Sequence, residues 1–152
     1  MLKSPARVVA FGFGSGLLRP APGTWGTAFG WLLWELLLAP CPLAAQGAAI
    51  FAGLAIGTWA CQQSGDDLRV PDHGGMVWDE VVAFWLVLMV LPGDLVSQAA
   101  GFAVFRAFDI VKPAPIRQCD AALKNGFGVM LDDLIAAGYT LFVFALWKRL
   151  IA

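Results

Sequence analysis

The sequence predicts an all-α, multi-helix integral membrane bundle whose motif-bearing loops gather at one face. Three observations point there. Hydrophobic residues make up 59% of the 152 and charged residues only 14%, against roughly 45–50% and 25% in an ordinary soluble domain. The apolar residues run in five stretches, none with the strict alternation of a half-buried strand. The breaks between stretches are either tight proline-containing turns without a basic residue or longer segments rich in Lys and Arg. One domain over residues 1–152 accommodates the length.

Taken in order, the first stretch is Ala28 to Ala39, ended by Pro40-Cys41-Pro42. Leu43 to Cys61 follows, 19 residues with only Gln46 and Thr58 polar, close to the roughly 20 that span a bilayer. Met76 to Leu91 ends at Pro92-Gly93-Asp94; Leu95 to Phe105 and Phe127 to Trp147 complete the set. The first and fourth are short for a full crossing, so they must re-enter the membrane or extend into flanking segments. The connecting segments 1–27, 62–75 and 106–126 hold Lys3, Arg7, Arg19, Arg69, Arg106, Lys112, Arg117 and Lys124. If each tight turn joins two spanning helices, all three segments share one face, and the positive-inside rule makes it cytoplasmic. Lys148 and Arg149 fall on the other side unless the last helix stops short of crossing.

Net charge is −1 with no basic block, which excludes a nucleic-acid partner. The first residues lack a long apolar core and meet Arg19-Pro20-Ala21-Pro22, so no cleavable signal is expected. Cys41, Cys61 and Cys119 are odd in number and far apart, and read as small apolar fillers.

Asp79-Glu80 heads one apolar run and Asp132-Asp133 interrupts another. Carboxylates in such surroundings are costly unless paired or bound to a cation. Adjacent acids on a helix point about 100° apart, so one member of each doublet can face a shared pocket. A lone membrane acid would normally pair with a nearby Lys or Arg; two doublets at one depth point instead to a multi-carboxylate site. Asp109 and Lys112 share a helix face that Pro113 ends, presenting an acid and an amine at a rigid terminus. Taken alone, that spacing is an ordinary i,i+3 ion pair.

Phe11-Gly-Phe-Gly-Ser-Gly16 and Ala21-Pro-Gly-Thr-Trp-Gly-Thr27 are loops whose backbone can approach an anion, with Thr24 or Thr27 able to cap the next helix. Asn125-Gly-Phe-Gly128 reads as a second flexible loop. His73 is the only histidine, which argues against a His-rich zinc site and is more often a hydrogen-bonding residue than a catalyst. Oxygen donors with few nitrogen or sulfur partners favour a hard cation such as Mg²⁺, which also binds substrate phosphate. Phosphate monoester hydrolysis needs such charge stabilisation. Other routes to it lack their residues: no Cys is followed six residues later by Arg, one His cannot serve a two-histidine phosphatase, and neither DxDxT nor the CDP-alcohol transferase pattern occurs.

At these motifs the chain resembles the phosphatidylglycerophosphatase A family of bacterial membrane enzymes. The matching pieces are Phe11-Gly-Phe-Gly-Ser-Gly-Leu17, Pro22-Gly-Thr-Trp-Gly26, Asp72-His-Gly74 with Val77-Trp-Asp-Glu80, Phe105-Arg106 with Asp109 and Lys112-Pro113, Pro115-Ile-Arg117, and Gly126-Phe-Gly-Val-Met-Leu-Asp-Asp133. They keep the family's order over nearly the whole chain. The resemblance implies a Mg²⁺-dependent phosphatase of the bacterial inner membrane that converts phosphatidylglycerophosphate to phosphatidylglycerol for phospholipid biosynthesis. Asp79, Glu80, Asp109, Asp132 and Asp133 are then the catalytic and metal-binding candidates, and Thr24, His73, Arg106 and Lys112 the phosphate-binding ones. Ala114 and Ala137 depart from the family's usual Trp and Gly, which bears on substrate packing beside the acids. The membrane lipid is the expected partner, and an oligomer is compatible with the sequence. The alternatives are an ion- or proton-coupled transporter, against which the clustering of the acids near one face and the lack of an evident internal repeat both speak, and a soluble metal-binding helical protein.

Overall fold

Proline sets where the first helices begin. Pro5 opens α1 (Pro5–Ala10), with the Ser4 hydroxyl accepting from the Arg7 amide at 3.3 Å, and Pro22 opens α2 (Pro22–Leu33). In a computed structural model, which describes residues 2–71 and 73–151, the chain continues through α3 (Leu43–Leu68), α4 (Trp78–Val90), α5 (Leu95–Val111), α6 (Ile116–Ala122) and α7 (Gly126–Ile151). A tight 3-10 segment, Gly12–Leu17, joins α1 to the approach of α2. Among the described residues there is no strand.

Both turns without a basic residue lie where the sequence puts them, between α2 and α3 and between α4 and α5. Several boundaries differ. α2 starts at Pro22 rather than near Ala28, and it ends in a wider π-helical turn, Trp34–Leu38, closed by the Ala39 amide on the Trp34 carbonyl at 2.7 Å. Thr24 and Thr27 are therefore inside the helix and cap nothing; Ala21 takes the cap position, and the Thr27 hydroxyl donates to the Gly23 carbonyl at 2.8 Å. α3 runs on to Leu68, α5 runs on to Val111, and the segment read as a connection after Phe105 contains α6. Asn125-Gly-Phe-Gly128 is no flexible loop: the Asn125 side chain accepts from the Gly128 amide at 2.8 Å and α7 has begun at Gly126. α7 is unbroken to Ile151, long enough by itself to cross, and Lys148 and Arg149 sit at its far end.

α4 is the axis of the bundle. Nearly every residue from Trp78 to Leu88 is buried, as expected of a helix apolar all round. Small residues on its neighbours let it be enclosed. A Cβ on Gly30 would lie 3.0 Å from Val81 Cα, and one on Gly57 would lie 2.6 Å from the Trp78 ring. The two indoles on α4 meet the backbone so exposed: Trp78 Nε1 donates to the Gly53 carbonyl at 3.0 Å and Trp85 Nε1 to the Gly30 carbonyl at 2.9 Å. Close approach at small residues is how helices associate where the surroundings are themselves apolar.

The outer surface matches an apolar solvent. α3 and α7 are long and apolar enough to cross a bilayer. They turn large side chains outward, with Phe51 75%, Phe142 65% and Trp147 64% exposed, which a water-facing helix would hide. The architecture is an all-helical membrane bundle.

Candidate active site

Three helix ends converge at one end of α4. The first turn of α4 supplies Asp79 and Glu80, the last two turns of α5 supply Arg106 and Asp109, and the second turn of α7 supplies Asp132 and Asp133. The entry to α4 is fixed by the Val77 amide, which donates to the Ala10 carbonyl at 2.8 Å and so ties α1 to the site. α5 stops at Lys112, where the following Pro113 disfavours right-handed helix, and Lys112 takes the left-handed conformation (φ 51°) at the helix end. The Lys112 side chain thereby turns over the mouth rather than continuing along the helix face.

These side chains surround a cavity of about 290 Å³, whose wall also includes His73, Gly74, Met76 and Ile110. One carboxylate oxygen from each of Asp79, Glu80 and Asp133 lies within 4.8 Å of the other two. Arg106 joins the set through Nη1, 3.4 Å from Glu80 Oε1, and through an ion pair with Asp109 one turn along its own helix. All five acids are buried, Asp132 and Asp133 almost completely. Glu80 Oε2, Asp133 Oδ2 and Arg106 Nε are shielded from solvent with no hydrogen-bond partner among the described residues.

Charge at the cavity does not balance. Five carboxylates face Arg106 and Lys112 alone, which leaves a strong formal excess of negative charge in a poorly solvated space. Such a cluster is held together only by a bound cation or by protons.

At the mouth, Lys112 Nζ lies 3.8 Å from Asp120 Oδ1 on α6, and Lys124 Nζ lies 3.6 Å from the same oxygen. Burial would lower the Lys112 ammonium, but the carboxylates of Asp120, Asp109, Asp133 and Asp132 outweigh it and hold the group above its ordinary value. Burial would raise the Asp120 carboxyl. A hydrogen bond shared with Asp132, together with Lys112 and Lys124, outweighs that and holds Asp120 below the usual carboxylate range. Both groups are therefore charged at neutral pH.

Of the nine candidates read from sequence, eight line this cavity: Asp79, Glu80, Asp109, Asp132, Asp133, Arg106, Lys112 and His73. His73 Nδ1 accepts from the Gly75 amide at 3.0 Å while its ring packs at a tilt against Phe11, so it also fixes the loop before α4. Thr24 is the exception; it is half-buried on α2 and does not line the cavity. Asp72 of the Asp-His-Gly motif lies outside the described residues. The i,i+3 ion pair is made by Arg106 with Asp109, and Lys112 takes Asp120 instead. Gly23 and Asp120 escaped the sequence reading. Gly23 backs the site, since a Cβ there would lie 2.6 Å from Glu80 Oε1 and 2.7 Å from Arg106 Nη2. Its signal was the Pro-Gly-Thr-Trp-Gly motif, noted as an anion loop rather than a packing surface. Asp120 carried no signal except its position four residues before Lys124.

An acid-lined cavity with an arginine and a lysine, at one end of an apolar helical bundle, is an arrangement that suits a membrane enzyme. Residues 8–148 match the family model for phosphatidylglycerophosphatase A. The chain belongs to the phosphatidylglycerophosphatase A family and is, by class, a phosphoric monoester hydrolase. A phosphatidylglycerophosphatase A of Haemophilus influenzae is 47% identical over 146 residues, covering 93% of this chain and 88% of the relative. One from Escherichia coli K12 is 40% identical over 136 residues, covering 89% of this chain and 78% of the relative. No solved structure matches. The family gives no support to the transporter alternative.

Proposed function

We propose that this protein is a Mg²⁺-dependent lipid phosphatase that hydrolyses phosphatidylglycerophosphate to phosphatidylglycerol and phosphate in phospholipid biosynthesis. It would span the bacterial inner membrane several times, with the site opening to the cytoplasm. The observation that carries this reading is the convergence of five buried carboxylates with Arg106 and Lys112 on one cavity. The names of the two relatives supply the substrate.

The donor set suits a hard cation. Asp79, Glu80 and Asp133 offer three oxygens close enough to share one ion, and the bare Oε2 of Glu80 and Oδ2 of Asp133 lack any other partner among the described residues. A bound Mg²⁺ would supply the positive charge that makes a doubly negative phosphate tolerable among carboxylates and would acidify water.

The chain's own groups would do the rest. Arg106 is aimed by Glu80 and Asp109 and donates to a phosphoryl oxygen from the cavity floor, while Lys112 donates from the mouth. A carboxylate of the α7 doublet takes the proton of the attacking water. Water adds to phosphorus, the bond from phosphorus to the glycerol oxygen breaks, and that oxygen leaves as the alcohol after taking up a proton. The apolar flank formed by Ile110 and the neighbouring exposed Val111 keeps the rest of the lipid at membrane level.

Purified protein in detergent, assayed for phosphate release from phosphatidylglycerophosphate, tests the reading. Activity should vanish in EDTA and return with Mg²⁺. Undiminished turnover in EDTA would reject the metal site, and no phosphate release under any divalent ion would reject the phosphatase.

A further inference from the structure

The mouth of the cavity is built differently from its floor. The floor is acid-rich, whereas the mouth carries two ammonium groups, Lys112 and Lys124, on a single carboxylate. Both ion pairs end on Asp120 Oδ1, so one carboxylate holds Lys124 beside Lys112 at the rim. The third cation nearby is otherwise engaged, since Arg117 Nη2 donates to the Val111 carbonyl at the end of α5, at 3.4 Å. Lys112 belongs to the cavity wall; Lys124 does not, and its side chain is 53% exposed against 30% for Lys112. Lys112 also shares the cavity with its acids, which leaves Lys124 as the more exposed cation beside the mouth.

We infer that Lys124, held beside the mouth by Asp120, binds a second, non-reacting phosphate of the substrate, so that the site selects a lipid with two phosphates linked through one glycerol. This rests on the phosphatase reading above. The reacting monoester goes inward to Arg106 and Lys112. A phosphodiester one glycerol away carries a single negative charge, which the exposed ammonium of Lys124 can meet. Asp120 is a positioning residue here: it touches neither phosphate but sets the spacing of the two lysines.

The test is steady-state kinetics of the full-length protein in mixed micelles, with phosphatidylglycerophosphate as substrate and phosphatidic acid, which has only the monoester, for comparison. Lys124→Gln should raise KM for phosphatidylglycerophosphate about tenfold, the loss of one charged hydrogen bond to an anion, with kcat much less affected. Lys124→Arg should restore most of the loss. The preference for phosphatidylglycerophosphate over phosphatidic acid should narrow in Lys124→Gln by a similar factor. Asp120→Asn should raise KM for both lipids, and Asp120→Glu should recover it. A wild-type KM in Lys124→Gln, a fall confined to kcat, or failure of Lys124→Arg to rescue would overturn the inference. So would a wild-type enzyme that treats the two lipids equally. Wild-type protein that releases no phosphate from phosphatidylglycerophosphate would instead sink the phosphatase reading itself, which keeps the two failures apart.

Discussion

Gly23 leaves Glu80 its place: a methyl group on Gly23 would stand 2.6 Å from Glu80 Oε1 and 2.9 Å from Oε2, closer than carbon and oxygen can approach. The backbone there is ordinary first-turn helix, so nothing in the local conformation demands glycine. The demand comes from the Glu80–Arg106 pair, which fills the space where a side chain would be.

Gly23→Ala therefore separates folding from function. Alanine is the better helix former, and the groups it meets are side-chain ends that can swing aside. Thermal stability should stay close to wild type. The displaced Glu80 and Arg106 should cost roughly 10- to 100-fold in kcat/KM, the usual effect of a misplacement near 1 Å. Unaltered kcat/KM in a folded Gly23→Ala protein would show that the pair can move without consequence.

The acids can be ranked by their surroundings. Asp79, Glu80 and Asp133 share one small volume, Asp109 is tied to Arg106, and Asp132 faces Asp120. Amide substitution keeps size and removes charge. At least three of Asp79→Asn, Glu80→Gln, Asp109→Asn, Asp132→Asn and Asp133→Asn should lose roughly 10²-fold or more in rate. Asp94→Asn, in the turn at the other end of the bundle, serves as the control. Near-normal rates in both Asp79→Asn and Asp132→Asn would remove the basis of the carboxylate site.

Much of this was legible because the motifs are punctuated. Proline and glycine marked both tight turns, and Pro113 marked the end of α5 to the residue. Two acidic doublets in apolar runs pointed to the candidate site because carboxylates in such surroundings need a partner or a cation, and the fold brings them to one cavity. What escaped depends on contacts across the chain. The sequence around Gly23 cannot reveal that Glu80, on another helix, needs its missing side chain. Asp120 looks like any surface acid until α6 folds over Lys112. The helix of Ile116–Ala122 was hidden because it is short, polar and flanked by breakers, so it carries no long apolar period. The early start of α2 was masked by its glycines, which favour a loop reading although they serve helix packing at Val77 and Val81.

Asp94 offers a pH-dependent check on the fold at the end remote from the cavity. Its carboxylate accepts from the Ser97 amide at 2.9 Å as the cap of α5, and that bond holds its pKa below the ordinary value. A depressed folded pKa stabilises the protein above the unfolded value of about 3.9. That contribution is lost as pH falls through the folded pKa. Wild type should therefore unfold at a higher temperature than Asp94→Ala near neutral pH, with the gap closing as the pH drops below 4. A gap that stays constant across that range would mean that the cap acts through something other than its charge.

Orientation decides whether the cavity meets a cytoplasmic substrate. The turns after Leu38 and Val90 lie at the opposite end of the helices from Asp79, Asp109 and Lys112, so a cytoplasmic cavity requires both turns to face the periplasm. Cys41 sits in the first turn, partly exposed, and is a native probe. Cys61 is fully buried in α3 and can stay, whereas Cys119 on α6 should be changed to Ser because it lies near the cavity end and is partly accessible. Val70, 41% exposed just past the end of α3, is a suitable opposite marker as Val70→Cys. In intact cells a membrane-impermeant thiol reagent should modify Cys41 and spare position 70, and permeabilised cells should show both modified. The reverse pattern in intact cells would turn the cavity toward the periplasm. Lys148 and Arg149 would then lie on the cytoplasmic side, and the lipid would have to cross the membrane before its phosphate could be removed.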